Sequence, residues 1–106
     1  MEGSTLETET AVNYWTWTSK ISPRACKKTI FIPSDAVRML RITMDSLLQI
    51  EIRKEFLEGV ERFWVWTDAV KQRGTKFVIT LPEEAVKRLG ISDGDFVHTM
   101  VVRREG

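Results

Sequence analysis

Gly74-Thr75-Lys76-Phe77-Val78-Ile79-Thr80-Leu81-Pro82-Glu83-Glu84-Ala85-Val86-Lys87-Arg88-Leu89-Gly90-Ile91-Ser92-Asp93-Gly94-Asp95-Phe96-Val97 is the stretch from which the rest of this 106-residue chain can be read. Phe77–Leu81 is rich in β-branched and aromatic residues and predicts a strand. Pro82 ends that strand, because proline cannot donate to a ladder, and its fixed φ suits the opening of a short helix. Glu83 and Glu84 then fall in the first helical turn and Lys87 and Arg88 in the last, as the helix dipole favours, and Gly90 suits a left-handed cap. Ser92-Asp93-Gly94-Asp95 reads as a turn into a closing strand over Phe96–Val102.

The same grammar occurs once before. Sliding the chain by 49 positions superposes Tyr14–Glu55 on Phe63–Arg104 without a gap, with 11 identities in 42 positions. Chance identity of roughly one in seventeen would give two or three. The identical pairs include Trp15/Trp64, Trp17/Trp66, Arg24/Arg73, Lys27/Lys76, Ile30/Ile79, Pro33/Pro82 and Leu40/Leu89. Each repeat opens with an alternating aromatic strand, Tyr14–Thr18 or Phe63–Thr67. A basic loop and a second strand follow (Thr29–Ile32 or Phe77–Leu81), then the proline-led helix and the closing strand, Leu47–Arg53 or Phe96–Val102.

A unit of about 45 residues buries its own apolar faces poorly, so two units sharing one core are favoured over two beads. Lys54–Gly59 is short and not rich in glycine or serine, and so predicts a hairpin connection rather than a linker. Pseudo-symmetry then places the Trp15/Trp17 strand beside the C-terminal strand, and the Trp64/Trp66 strand beside Leu47–Arg53. The expected organisation is a flexible tail over residues 1–12, followed by one domain over 13–106 built from repeats 14–55 and 63–104.

The Gly74–Val97 pattern resembles the AbrB/SpoVT/MazE superfamily: a glycine loop, a strand ending in Leu-Pro, a helix ending Leu-Gly-Ile and a Gly-Asp turn into a strand. The glycine stands eight residues before the proline, as in MazE-like and archaeal versions. About 30 residues match strongly, and the repeat extends the likeness to nearly all of Tyr14–Arg104. The resemblance implies a mainly β fold with two short helices. It further implies a swapped-hairpin barrel formed as an intrachain pseudo-dimer of two βαβ-type repeats, and DNA binding.

Repeat one departs from the pattern at all three glycines, with Ala25, Arg41 and Asp45 in place of Gly74, Gly90 and Gly94. A left-handed backbone at those sites would cost about 1 kcal/mol each. The first repeat is therefore expected to have relaxed its loop geometry, which leaves open whether the halves contact a ligand equally.

Net charge is only +1, but its distribution is uneven. Thr10–Ser34 and Ala69–Pro82 hold seven of the sixteen basic residues and none of the fifteen acidic ones. Such segregation creates local positive potential on a nearly neutral protein. By the resemblance, the DNA-contacting positions are Lys71, Arg73, Thr75 and Lys76, and their counterparts Lys20, Arg24, Lys27 and Lys28. Lysines there hold phosphates, and the arginines are suited to bidentate contacts with guanine. The plainer alternative is a solvated loop whose charges only maintain solubility. Arg38, Arg41, Lys87 and Arg88 read as a solvated helix face.

The four tryptophans alternate with threonine or valine, so each pair projects from one strand face. Core or interface packing is the stronger reading for them, against a stacking platform for single strands. His98 has no titratable companion at useful spacing and reads as structural, and Cys26 as an incidental thiol. No nucleophile–base pair, phosphate-cradling loop or metal-ligand spacing stands out, so neither an enzyme nor a cofactor is expected. Apolar runs fall far short of a membrane span, and the acidic start is no signal peptide. With a lone cysteine, these features point to a cytoplasmic setting, and a DNA partner would add association with the nucleoid.

Duplex DNA is thus the expected partner, with further pairing into a homodimer left open. The alternative is a protein-interaction or antitoxin-like module without strong DNA affinity. An end at Gly106, directly after the last strand, is read against the usual antitoxin tail.

Overall fold

The computed structural model describes residues 13–55, 59 and 61–104, and the tail expected over residues 1–12 lies outside them. The first repeat contributes β1 (Tyr14–Lys20), β2 (Ser22–Arg24), β3 (Lys27–Phe31), α1 (Ser34–Met39) and β4 (Leu47–Glu55). The second contributes β5 (Glu61–Ala69), β6 (Lys71–Arg73), β7 (Lys76–Thr80), α2 (Glu83–Leu89) and β8 (Phe96–Arg103). The protein is mainly β with two short helices, and its strands form two four-stranded antiparallel sheets, ordered β1-β8-β4-β5 and β2-β3-β7-β6.

The register carries the duplication into three dimensions. β1 pairs with β8 and β5 with β4, so each aromatic strand lies beside the closing strand of the other repeat, as pseudo-symmetry predicts. At the centre of the first sheet Glu51 faces Met100, and at the centre of the second Ile30 faces Ile79. Both pairs are separated by the 49-residue period, so a pseudo-twofold axis passes through each. β4 and β5 pair from Leu47↔Ala69 to Glu55↔Glu61 as a hairpin, while residues 56–58 and 60 of the expected connection lie outside the described residues.

Alternation within the strands sends one face of the first sheet inward. Leu48, Ile50, Ile52, Val97 and Val101 are buried there and join Ile30, Ile79, Leu40, Leu89, Ala36 and Ala85 in one apolar cluster drawn from both repeats. Trp15, Trp17, Trp64 and Trp66 are partly buried and pack against that cluster, so they are core residues rather than an open stacking platform. The buried hydroxyls on this face satisfy each other, Thr99 Oγ1 donating to Ser19 Oγ at 2.9 Å.

Two sequence expectations need correction. The basic loops are not loops: Ser22–Arg24 and Lys71–Arg73 are strands that pair back onto β3 and β7, leaving two-residue turns at Ala25–Cys26 and Gly74–Thr75. Nor has the first repeat relaxed its turns. Ala25, Arg41 and Asp45 keep positive φ values of 56°, 55° and 75°, against 63°, 61° and 86° at Gly74, Gly90 and Gly94. Both helices close alike, with Ile42 N–H donating to Val37 O and Ile91 N–H to Val86 O, the longer-range bond of a Schellman ending. Burial of Leu40 and Ile42 on either side of Arg41 holds that backbone in place despite the missing glycine.

Candidate nucleic-acid interface

The β2–β3 and β6–β7 hairpins are where the carboxylate-free segments of the chain come together. Because β3 and β7 run antiparallel about the Ile30↔Ile79 pair, the two turns project from opposite ends of the strand pair. Each turn lies about four residues from that centre. At ~3.3 Å per residue, roughly 25 Å separates them along the strand axis, less than the ~34 Å of one DNA turn.

Arg24 and Lys27 flank the first turn and Arg73 and Lys76 the second, all four exposed. Lys71 is exposed on β6 and Lys20 at the end of β1. Among the described residues, no carboxylate lies within ion-pair distance of Lys20, Arg24, Lys27, Lys71, Arg73 or Lys76. Lys28 differs, because its ammonium is held 2.9 Å from Asp93 of the other repeat. The Lys76 ammonium lies 5.6 Å from the centre of the Phe31 ring, within cation–π range.

A groove of about 630 Å³ runs between α1 and the β6–β7 turn and brings Lys20 of repeat one together with Thr75 and Lys76 of repeat two. Its repeat-related counterpart, about 720 Å³, gathers Lys27, Lys28 and Lys71. The predicted residues thus assemble across the repeats rather than within them. Arg24 and Arg73 stand outside both grooves, beside the turns.

Two cations read from sequence as helix-surface residues belong to these grooves: Arg38 lines the first and Lys87 the second. The signal for them was their equivalence under the 49-residue shift. Arg38 also pairs with Asp35 at 3.3 Å on the exposed side of α1. Trp17 lines the first groove, whereas its counterpart Trp66 does not line the second and has its Nε1 buried without an acceptor among the described residues.

Cys26 is exposed at the first turn. His98 is exposed on β8, opposite Thr18, whose hydroxyl lies 3.4 Å from its Nδ1. Among the described residues no three of His, Cys, Asp and Glu converge as metal ligands would, and no helix is long and apolar enough to cross a membrane.

The outer face of the β1-β8-β4-β5 sheet has a different character. Tyr14, Leu47, Phe63, Val65 and Phe96 are exposed, and strand register puts them all on that face, opposite the core.

No family model and no curated protein matches this chain. In three dimensions it is similar to the solution structure of PHS018 from Pyrococcus horikoshii, with a TM-score of 0.71 over 86% of this chain and 95% of that one at 16% sequence identity. At that identity the likeness is one of fold.

Proposed function

We propose that the protein is a DNA-binding regulator of the AbrB/SpoVT type. On this reading the two sheets form a swapped-hairpin barrel, an intrachain pseudo-dimer in which the repeats stand for two subunits. The β2–β3 and β6–β7 hairpins grip one duplex. The observation that carries the proposal is the pair of dyad-related turns whose cations are exposed and unmatched by carboxylates. Lys20, Lys27, Lys71 and Lys76 are placed to neutralise phosphates, and Thr75 to donate to one. Arg24 and Arg73, at the turns, are placed to reach base edges. No catalytic role and no cofactor is proposed, and the setting that suits this function is the nucleoid.

The test is a titration of labelled random-sequence duplex at low and moderate salt. Affinity should fall with salt at a logarithmic slope of about −0.9 per phosphate neutralised. Arg73→Ala/Lys76→Ala should bind more weakly at an unchanged melting temperature. Equal binding by the double variant would remove the hairpins from the interface, and no binding at low salt would end the DNA reading.

A protein-interaction reading has one specific support, the exposed aromatic and aliphatic residues on the outer face of the first sheet. Exposed aromatic and aliphatic side chains set among polar ones, as here beside the Arg53 ion pairs with Glu51 and Glu61, suit a protein partner or a second copy of the chain. Such a partner would bind at high salt, where DNA contacts fail.

A further inference from the structure

The two grooves share a backbone but not a chemistry. The groove between α1 and the β6–β7 turn carries Lys20, Lys76 and Arg38, the last also paired with Asp35 at 3.3 Å, and no carboxylate lines its walls. Ser34 and Thr75 add hydroxyls, and Trp17, Phe31 and Phe77 supply aromatic surface. Under the 49-residue shift its counterpart has Asp68 for Ser19, Glu83 for Ser34 and Ala69 for Lys20. Asp68 and Glu83 both line that second groove, and its Lys28 is already paired with Asp93.

Three cations lining one groove beside hydroxyls suit a phosphate, and the half-buried aromatic side chains Trp17 and Phe77 on the same walls suit a ring. A volume of about 630 Å³ falls in the range of small-ligand sites. We propose that the groove between α1 and the β6–β7 turn, and not its counterpart, binds one small phosphate ester carried on a planar ring, the chemistry of a nucleoside monophosphate. Duplex DNA buries its base faces in the stack, so this ligand is distinct from the proposed DNA partner. It draws on Lys20, Thr75 and Lys76, which the DNA reading also uses, and on that reading the nucleotide competes with the duplex.

AMP, adenosine and inorganic phosphate are titrated into the full chain without DNA, following tryptophan fluorescence and amide shifts at Ser34 and Thr75. AMP should bind one to one, and adenosine at least about tenfold more weakly for want of the charge-assisted contacts. Lys20→Ala/Ser34→Glu gives the first groove the second groove's residues at two of the three positions 19, 20 and 34. Both positions are exposed and the other repeat carries those residues on the same backbone, so folding is preserved, and AMP affinity should fall at least about tenfold. The reciprocal Ala69→Lys/Glu83→Ser should raise the stoichiometry towards two.

The proposal is overturned if AMP causes no shift at millimolar concentration, if two equivalents bind the unmodified chain, or if the Lys20→Ala/Ser34→Glu variant binds AMP unchanged. Duplex binding without AMP binding would sink this inference alone, and AMP binding without duplex binding would sink only the DNA reading.

Discussion

Lys54, near the end of β4, reaches across the repeat boundary to Asp95, its ammonium 2.9 Å from the carboxylate, and also donates to the carbonyl of Gly90 at the end of α2. Its counterpart Arg103 does the same in reverse, donating from Nη1 to the carbonyls of Leu40 at 2.9 Å and Arg41 at 3.2 Å. Each closing strand therefore brings a cation to the negative end of the other repeat's helix, where the unpaired carbonyls lie. The two latches are not identical, since Ser46 stands where Asp95 would be in the first repeat. Pairing between the repeats thus adds a cation from the other repeat to each helix end, beside the bond that each helix makes within its own repeat.

The Lys54–Asp95 latch makes stability depend on acid pH. Lys54, and then the Ser92 backbone N–H at 2.8 Å, hold the Asp95 carboxyl below its ordinary range. The folded state therefore binds fewer protons at this site than the unfolded chain. That contribution is complete above the unfolded value of about 3.9 and is lost as pH falls through the lower folded value. Asp95→Asn should be less stable by about 1 kcal/mol at neutral pH, with the gap to wild type closing in acid. Urea unfolding at pH 7 and across the acid range measures this, and a pH-independent gap would contradict it.

The pseudo-twofold axis makes a second, symmetric prediction. Ile30 and Ile79 face each other at the centre of the β3–β7 pair, 0% and 2% exposed. Ile30→Ala and Ile79→Ala should each cost about 2–5 kcal/mol, and the two losses should be similar. Thr67→Ala, on the exposed outer face, should stay within about 0.5 kcal/mol of wild type. Guanidinium unfolding of the three variants settles the comparison, and a large difference between the isoleucines would break the equivalence of the repeats.

Much of this architecture was legible from the 49-residue period. The helices, the closing strands and the partner of each tryptophan strand all follow from a duplication whose units are too small to fold separately. Ser22–Arg24 and Lys71–Arg73 were not legible as strands. Ser-Pro-Arg and Lys-Gln-Arg have no apolar alternation, and it is pairing with β3 and β7 that extends them. The turns of repeat one were misread for a related reason. Loss of glycine removes a local preference of about 1 kcal/mol, which burial of Leu40 and Ile42 outweighs. In the candidate interface the turn cations were visible as acid-free runs. Arg38 and Lys87 were not, because their grooves form only when the other repeat's strands arrive.

The left-handed positions of repeat one hold a reserve of stability. Ala25 and Arg41 sit at φ near 55° without the freedom of glycine. Ala25→Gly and Arg41→Gly should each stabilise by up to about 1 kcal/mol, less the added entropy of the unfolded chain. Asp45→Gly should gain less, because aspartate tolerates this region better. In the reverse sense, a Cβ at Gly90 would meet no atom within 4 Å, so Gly90→Ala should cost only the backbone term of about 1 kcal/mol. Thermal unfolding of the four variants checks the signs, and destabilisation by Arg41→Gly would show that its side chain does more than occupy the turn.

On the proposed DNA reading, the Lys28–Asp93 pair withholds one cation of the basic surface from the duplex. Asp93 holds Lys28, whose side chain is 25% exposed, while Asp93 itself is 51% exposed. An exposed pair of this kind contributes little to stability, so Asp93→Asn should leave the melting temperature nearly unchanged. It should nevertheless release Lys28, strengthen duplex binding a few-fold at low salt and steepen the salt dependence by at most about one phosphate equivalent. Lys28→Ala in the wild-type background should weaken binding less than Lys27→Ala, whose ammonium has no carboxylate to leave. Anisotropy titrations of the three variants across a salt series decide the matter. If Lys28→Ala proved the more damaging, Lys28 would leave Asp93 on binding, and the hairpin surface would form only with the duplex in place.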